Sequence, residues 1–290
     1  MIDTQSNVSN LLAGASFKTL FKEQLMKKPK FVKKYMLYLY TNGYSDPGGQ
    51  GSIRWFLKMP TRMWRIVSVL RGIWFDRRFD RKHNVSTTGA IFLKDLEIDS
   101  SNVELGELYD PFPSGPLKRL LSMLPQVDLS ETTFVDFGSG KGRVLLIASD
   151  HPFKQILGVE FSPELHEQAE NNIRSFRSRQ QKCETIESLC QDATEFAIPD
   201  GPCVFFIFAA FRGEAFIEVL KNIKESYHES PRPMHLLYVT DPLTHPIPDD
   251  DIQSVPLFRN IRSGRFAFDL SQRYPLGYSI FEAEKTTSGH

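Results

Sequence analysis

The stretch "FVDFGSGKGR", residues 134–143, joins an apolar run to a loop that contains three glycines and one lysine. Glycine-rich loops that follow a strand bind triphosphates, dinucleotides or sulfonium nucleosides, because glycine allows the backbone to approach a ligand closely. The residues at fixed positions in and around this loop decide among these ligands.

Two of the three ligand types fit the loop poorly. If Gly140-Lys141 is the G-K pair of a phosphate-binding P-loop, a glycine is required at position 135 and a hydroxyl at position 142. The chain has Val135 and Gly142 there, which excludes a P-loop. A dinucleotide fingerprint requires its third glycine at position 143. Arg143 occupies that position, which weakens the dinucleotide interpretation but leaves it open.

Beyond residue 85 the sequence alternates between strand-like and helical patterns. The segments TFVDFG, QILGVEF, CETIESLCQDA, CVFFIFAAF and MHLLYVTD predict five strands, with helices between most of them. Two more strands are predicted in SGRFAFDLSQ and GYSIFEAE, joined by RYPL without a helix. This order predicts an α/β fold with a doubly wound, mostly parallel seven-stranded sheet and an antiparallel terminal strand.

Three acidic residues stand at the ends of successive predicted strands. Asp136 precedes the glycines, Glu160 follows 24 residues later, and Asp192 ends the third strand. Doubly wound sheets bind ligands at the carboxyl ends of their strands. We therefore expect these carboxylates to line one ligand site.

"VDFGSGKGRVLLIAS", followed by "GVEFSPEL", resembles the first two motifs of class I (Rossmann-like) S-adenosylmethionine-dependent methyltransferases. It is most similar to a bacterial group with the DFGSGKGR first motif, and the resemblance covers roughly residues 85–284. It implies S-adenosyl-L-methionine as cofactor, with Asp136 at its ammonium group, Glu160 at the ribose hydroxyls and Asp192 at the adenine. The other implied cofactor contacts are Gly138, Ser139, Gly140, Gly142, Phe161, Ala193 and Phe208.

The fourth motif departs from the family, because "FAAF" (208–211) stands where N-P-F or D-P-P-Y would. The carbonyl that holds a planar amino group in amino-methylating members is absent, which argues against methylation of adenine or glutamine amino groups. Phe208 and Phe211 are expected on the acceptor side. Fold and cofactor motifs do not specify the acceptor, although a small molecule or a protein side chain is favoured.

The reaction is expected to be a direct in-line transfer that needs no metal. A general base is required only if the acceptor has to lose a proton first. The candidates are Tyr109, Asp110 and Glu214, and Tyr109 would alternatively cover the cofactor or simply pack in its proline-rich loop. Lys141 and Arg143 are expected to face solvent.

The N-terminal part differs in charge from the rest. Residues 17–82 carry sixteen Lys/Arg against four Asp/Glu, although the whole chain has zero net charge. We expect a basic helical extension (1–84), the cofactor-binding domain (85–284) and a tail (285–290). The extension is interpreted as a lid over the acceptor pocket, with a plain packed extension, a nucleic-acid-binding arm and a membrane-surface helix as alternatives.

A helix is expected to start near Pro60, with an apolar stripe that packs on the cofactor domain. The stripe is formed by Met63, Val67, Leu70 and Trp74.

Three other classes of function stay open. The chain could be a cofactor-fold protein that only binds, a nucleic-acid methyltransferase that uses the basic arm, or, more remotely, an NAD-dependent oxidoreductase. No apolar run is long enough to span a membrane, and the first ten residues lack the order of a secretory signal, which predicts a cytoplasmic protein. The three cysteines and seven histidines show no metal-ligand spacing, so no metal site is expected.

Overall fold

A computed structural model describes residues 59–89, 91–92, 108–125, 127–208, 210–241, 247–267 and 269–284. The described residues from Ser68 onward belong to one compact unit. The helix expected within 17–40 and the tail at 285–290 lie outside the described residues. The division into an extension and a cofactor domain therefore stays a prediction.

Six helices and nine strands occur in these ranges. The helices are α1 (Met59–His83), α2 (Ser114–Leu121), α3 (Arg143–Ala148), α4 (Pro163–Ser175), α5 (Glu214–Glu229) and α6 (Asp249–Ser254). The strands are β1 (Ile91–Phe92), β2 (Leu108–Tyr109), β3 (Thr133–Phe137), β4 (Gln155–Glu160), β5 (Ile186–Cys190), β6 (Cys203–Phe208), β7 (Met234–Thr240), β8 (Phe258–Arg265) and β9 (Gly277–Ala283). Two 3₁₀ turns lie at Leu129–Glu131 and Ala193–Glu195.

Seven strands form one twisted sheet in the order β5-β4-β3-β6-β7-β9-β8. The five strands from β5 to β7 are parallel, whereas β9 runs antiparallel to both β7 and β8. The predicted doubly wound sheet with an antiparallel terminal strand is confirmed. The short strands β1 and β2 form a separate antiparallel pair, which the sequence patterns did not predict.

The sixth strand of the sheet begins earlier than predicted. The expected segment was 263–272, but β8 covers Phe258–Arg265 and lies at the sheet edge with most of its side chains exposed. Phe266, which looked like a strand residue, instead enters the core directly after β8. Natural edge strands often carry charged side chains, which discourage pairing with another chain, and β8 contains Arg259, Arg262 and Arg265.

Apolar clusters cover both faces of the sheet. On one face, Leu117 and Leu120 of α2 and Val144 and Leu145 of α3 pack with the strands, and Phe79 of α1 lies against them. The cluster on the other face includes α5 and α6. The central strand β3 is buried along its whole length, as expected for a parallel strand with helices on both sides.

The helix α1 buries a different face from the one predicted. Leu70 and Trp74 of the expected stripe are about half exposed, while Val69, Ile73 and Asp76 are buried. Asp76 forms ion pairs with Arg143 and Arg273, whose side chains are 3% and 7% exposed. Unpaired buried charge is very costly, so these pairs determine the rotation of the helix, and its apolar stripe turns outward.

Candidate active site

The carboxyl ends of β3, β4 and β5 meet at one edge of the sheet and carry the predicted acidic residues. Asp136 lies in β3 beside Gly158 of β4, and Glu160 ends β4 beside Cys190 of β5. The two carboxylates are close enough for the charge on Glu160 to raise the pKa of Asp136. The edge of the sheet thus brings Asp136 and Glu160 together, as expected from their strand positions.

The loop between β3 and α3 is held by the neighbouring strand. The backbone N–H groups of Gly138 and Ser139 both donate to the carbonyl of Val159, at 2.8 and 3.1 Å. Gly138, Gly140 and Gly142 all have positive φ, a conformation that side-chain-bearing residues rarely adopt. At Gly140 a Cβ would also lie 2.3 Å from ring atoms of Tyr109. Gly140 therefore requires glycine for both its conformation and its contact.

Glu160 is buried and is bound by the glycine loop. Its Oε2 accepts from the backbone N–H of Gly140 at 2.8 Å, and its Oε1 accepts from Ser162 at 2.9 Å. Burial raises the pKa of Glu160, and these hydrogen bonds oppose that rise because they favour the ionised form. Glu160 thus links the end of β4 to the loop after β3, while a carboxylate retains lone pairs for a ligand.

Asp136 is the outstanding electrostatic feature of the edge. It is 2% exposed, and its Oδ2 is buried without a hydrogen-bond partner. Burial, and secondly the charge on Glu160, raise the pKa of Asp136 well above its usual value. A buried carboxylate oxygen without a partner is suited to receive a cationic donor such as an ammonium group.

Asp192 has a local structural role in addition to the role predicted for it. Its Oδ1 accepts from the backbone N–H and the hydroxyl of Thr194, at 2.9 and 2.7 Å, and so begins the 3₁₀ turn at Ala193–Glu195. This turn brings Ala193 to the end of β5. The predicted contact with an adenine ring stays a prediction.

Tyr109 lies against the glycine loop. Its ring packs on Gly140, and its hydroxyl donates to the carbonyl of Thr87 at 2.9 Å. Burial raises the pKa of Tyr109, so this phenol is a poor general base. The Nζ of Lys141 lies 5.4 Å from the centre of the ring, within the range of a cation–π contact.

The expectation that Lys141 and Arg143 face solvent is wrong. Lys141 is 6% and Arg143 is 3% exposed. The guanidinium of Arg143 pairs with Asp76 at 3.1 Å, donates to the hydroxyl of Thr87 at 3.1 Å and lies 4.4 Å from the ring centre of Phe79. Position at the start of a short helix indicated exposure, but Asp76 and Phe79 of α1 cover Arg143. Thr88 and Tyr109 lie against Lys141.

A second buried pair extends this network. Arg273, which pairs with Asp76, also pairs with Asp110, and the hydroxyl of Tyr274 donates to Asp110 at 2.9 Å. The network connects α1, the start of α3, the segment after β2 and the β8–β9 connection. Sequence reasoning missed it, because contacts between residues up to 197 positions apart leave no local pattern.

The remaining candidates occupy different environments. Asp110 forms an ion pair with Arg273, and this pairing argues against a role of Asp110 as a base. Glu214 is exposed in the first turn of α5. Phe208 is partly buried, and its ring contacts that of Phe112 at 4.9 Å, while Phe211 lies near Phe137. None of these positions identifies a base.

Neither a metal cluster nor a membrane span occurs in the described ranges. No group of three or more His, Cys, Asp or Glu side chains in this part of the chain could hold a metal ion. Among the same residues, no helix has the length and apolar character that crossing a membrane requires.

One family model matches part of this chain. The family model described as "Methyltransferase domain" matches residues 135–229. The matched stretch runs from β3 to the end of α5 and contains the glycine loop, Glu160 and Asp192. It supports S-adenosyl-L-methionine as the cofactor of this Rossmann-like fold. The narrower bacterial DFGSGKGR group stays a prediction.

Solved structures with a similar fold share little sequence with this chain. One is magnesium protoporphyrin IX methyltransferase from Synechocystis PCC 6803 with bound cofactor (13% identity, 59% of this chain, 77% of that chain, TM-score 0.38). Another is TrmK from M. capricolum in complex with S-adenosyl-homocysteine (12% identity, 59% of this chain, 68% of that chain, TM-score 0.41). A third is ribosomal protein L11 methylase from Lactobacillus delbrueckii subsp. bulgaricus (17% identity, 57% of this chain, 73% of that chain, TM-score 0.37). Scores of this size support no conclusion about function, and a search of curated proteins by sequence finds no match.

The residues at the strand ends fit the cofactor that the domain match supports. The unpartnered oxygen of Asp136 is a suitable acceptor for the ammonium group, and the glycine loop exposes Gly138 at the same edge. Glu160 has free lone pairs for hydroxyl donors. Bound S-adenosylmethionine would supply a methyl group already activated on a sulfonium.

Proposed function

We propose that this protein transfers the methyl group of S-adenosyl-L-methionine to a small molecule or a protein side chain by direct in-line attack. The observation that carries the proposal is the buried, unpartnered carboxylate oxygen of Asp136, directly before the glycine loop and inside the matched methyltransferase domain. An ionised phosphate has no hydrogen-bond donor to offer the Asp136 carboxylate, whereas an ammonium group has three.

In this proposal the chain's own residues bind, orient and exclude water. Asp136 holds the amino-acid end of the cofactor, Glu160 the ribose, and Asp192 with the backbone of Ala193 the adenine. Tyr109 packs on Gly140 and would shield the reacting groups from water at that side. The C–S bond would break with its electron pair on sulfur, and the neutral thioether that leaves needs no protonation. The chemistry therefore requires alignment rather than a metal or a covalent intermediate.

The acceptor side is apolar in the residues described. Phe208 and Phe211 stand where amino-methylating members of the resembled family have an Asn or Asp carbonyl, so we favour an acceptor with an apolar body over a planar amide or base. Tyr109 and Asp110 are weak candidates for a base, because each is committed to another group of the protein. The lack of an available base in the described part of the chain favours an acceptor atom that is already nucleophilic and does not have to lose a proton first.

Isothermal titration with S-adenosylmethionine, S-adenosylhomocysteine and NADH tests the cofactor. We expect the first two to bind and NADH not to bind. Hydrogen bonds to charged groups contribute about 1.5–3 kcal/mol, so Glu160→Ala should weaken binding at least about tenfold. The matched control is Glu164→Ala, an exposed glutamate four residues away, which should bind like the wild type.

Mass spectrometry of acceptor libraries and proteins after incubation with methyl-labelled cofactor separates a transferase from a binder. Cofactor binding without any labelled product would favour the binding-protein alternative. Binding of NADH in preference to S-adenosylmethionine would remove the methyltransferase proposal.

A further inference from the structure

The solvent-exposed side of α1 carries an apolar cluster that the proposed reaction does not use. Among the described residues, the exposed large hydrophobic side chains are Val67, Leu70, Trp74 and Leu270, and the first three follow one another along α1. Leu70 is 45% and Trp74 is 50% exposed. Clustered exposed apolar side chains indicate an interaction surface, whereas single ones are ordinary.

The backbone of Leu270 lies beside α1 although it is far away in sequence. Arg71 donates from Nε to the carbonyl of Leu270 at 2.7 Å and from Nη2 to the carbonyl of Gln272 at 3.2 Å. These bonds hold the β8–β9 connection beside the helix. The apolar residues therefore come from two segments that the tertiary structure brings together.

The same face of α1 becomes basic one turn later. Arg78 and Arg81 are exposed, and the guanidinium of Arg78 lies 5.7 Å from the centre of the Trp74 ring. At 100° per residue, Arg78 and Arg81 lie within about 40° of Trp74 on the helix surface. We name Leu70, Trp74, Arg78 and Arg81 the outward face.

Acidic residues are absent from the outward face, because both acidic residues of α1 turn inward. Asp76 pairs with Arg143 inside the protein. Asp80 accepts hydrogen bonds from the backbone and hydroxyl of Thr87 and from the backbone of Thr88. Among the described side chains, from Val67 to His83, those that face outward are therefore apolar or basic, and the ion pairs of Asp76 keep the helix in that orientation.

We propose that the outward face of α1 binds an anionic membrane surface. Interfacial helices insert apolar side chains at the boundary between headgroups and acyl chains, and their basic residues contact anionic lipid. Tryptophan favours this boundary, since its ring is apolar and its N–H is polar. Trp74 lies between the apolar Leu70 and the basic Arg78, which is the order that an obliquely inserted helix requires.

Charge complementarity favours lipid over the alternatives. A nucleic acid would pair with Arg78 and Arg81 but offers no apolar layer for Leu70 and Leu270. A second copy of the chain would present the same positive face, and like charges repel. An anionic lipid surface can contact the apolar residues Leu70 and Trp74 with its acyl layer and the basic residues Arg78 and Arg81 with its headgroups.

The experiment is co-sedimentation of the full chain with vesicles. The vesicles are phosphatidylcholine alone and phosphatidylcholine mixed with phosphatidylglycerol. The apolar variant combines Leu70→Ser with Trp74→Ser, the charge variant is Arg78→Glu, and the control is Lys221→Glu. Lys221 is an exposed basic residue on α5, a helix that covers the opposite face of the sheet. Because all four positions are exposed, thermal melting should show that each variant folds.

We expect the wild type and Lys221→Glu to sediment with the anionic vesicles and not with neutral ones. Arg78→Glu should weaken binding at least about fivefold, the effect of one basic residue near an anionic surface. The apolar variant should weaken it at least about tenfold.

Four results would overturn the proposal. The first three are failure of the wild type to sediment with anionic vesicles, wild-type binding by the apolar variant, and a loss with Lys221→Glu equal to that with Arg78→Glu. A fourth is tight binding of single-stranded RNA or duplex DNA that displaces the vesicles and survives in the apolar variant. That outcome would assign the face to nucleic acid instead.

Discussion

Replacing Asp136 by Asn should stabilise the ligand-free protein while it weakens cofactor binding. Asp136 is 2% exposed and its Oδ2 has no hydrogen-bond partner, so the ionised side chain costs free energy in the folded state. Asn has nearly the same shape and no charge. The variant therefore removes the cost, and with it the charge that would hold an ammonium group.

The magnitude follows from linkage. A carboxyl that stays protonated at pH 7 in the folded protein has an unfolded-state pKa of about 3.9. The folded protein loses about 1.4 kcal/mol of stability for each pH unit between these two values, or at most about 4 kcal/mol. The protonated carboxyl and the amide of Asp136→Asn both leave a neutral polar group buried, so that cost largely cancels between the two proteins. For a domain of this size, each kcal/mol corresponds to about 2–4 °C in the melting temperature. The melting temperature of ligand-free Asp136→Asn should thus exceed that of the wild type at pH 7, by no more than about 8–16 °C.

The pH dependence has a definite sign. The pKa of Asp136 is raised in the folded protein, so its contribution to stability is fully present below the unfolded-state pKa and is lost as the pH rises through the folded-state pKa. The advantage of Asp136→Asn over the wild type should therefore grow with pH. Differential scanning calorimetry between about pH 5 and pH 8 measures it.

Glu160→Gln is the contrasting variant. Both oxygens of Glu160 accept backbone N–H groups, so an amide would present N–H to a donor and leave it unsatisfied. We expect the free energy of unfolding of Glu160→Gln to fall by about 1–3 kcal/mol, with a lower melting temperature.

S-adenosylhomocysteine should bind Asp136→Asn about 10- to 150-fold more weakly than the wild type, measured by titration. A ligand-free Asp136→Asn protein that melts below the wild type, or that binds the ligand normally, would refute the reasoning.

Binding of S-adenosylhomocysteine to the wild type should release protons and become tighter as the pH rises from about 5 toward 7, because the ammonium group of the ligand favours ionised Asp136. Titrations in buffers of different ionisation enthalpy measure the proton release. The Asp136→Asn variant should lose most of this pH dependence. Asp76→Asn leaves two buried guanidiniums without a full counter-charge and should cost about 3–5 kcal/mol in urea unfolding, whereas Lys221→Ala, in an exposed pair, should unfold like the wild type. Gly140→Ala should destabilise the protein and weaken cofactor binding, because a Cβ there meets an aromatic ring at 2.3 Å. Gly213→Ala, also at positive φ but without an atom within 4 Å of the new Cβ, measures the backbone strain alone, and an equal loss in both variants would contradict the role assigned to the ring contact.

Local sequence patterns were sufficient to predict the central part of the fold. Continuous apolar runs such as CVFFIFAAF indicate strands buried on both faces, and Ser162 with Pro163 indicates the start of α4, where the Ser162 side chain accepts from the backbone of Leu165. Strand ends in a parallel sheet share one edge. The neighbourhood of Asp136 and Glu160 therefore followed from their positions in the chain alone.

The edge strand was less predictable from sequence. The outer strand β8 exposes most of its residues and contains three arginines, so its apolar pattern is weak and its bounds were misplaced.

Only the tertiary structure decided the electrostatics of the site and the orientation of α1. Whether Arg143 is exposed or buried depends on Asp76, 67 positions earlier in the chain, and on the way α1 packs over α3. The apolar stripe that includes Leu70 and Trp74 predicted a buried face by periodicity, but a charge pair inside the protein outweighs that stripe, because burying an unpaired carboxylate costs more than exposing two apolar side chains. Periodicity records which side chains share a helix face, whereas the direction of that face is determined by residues that are distant in sequence.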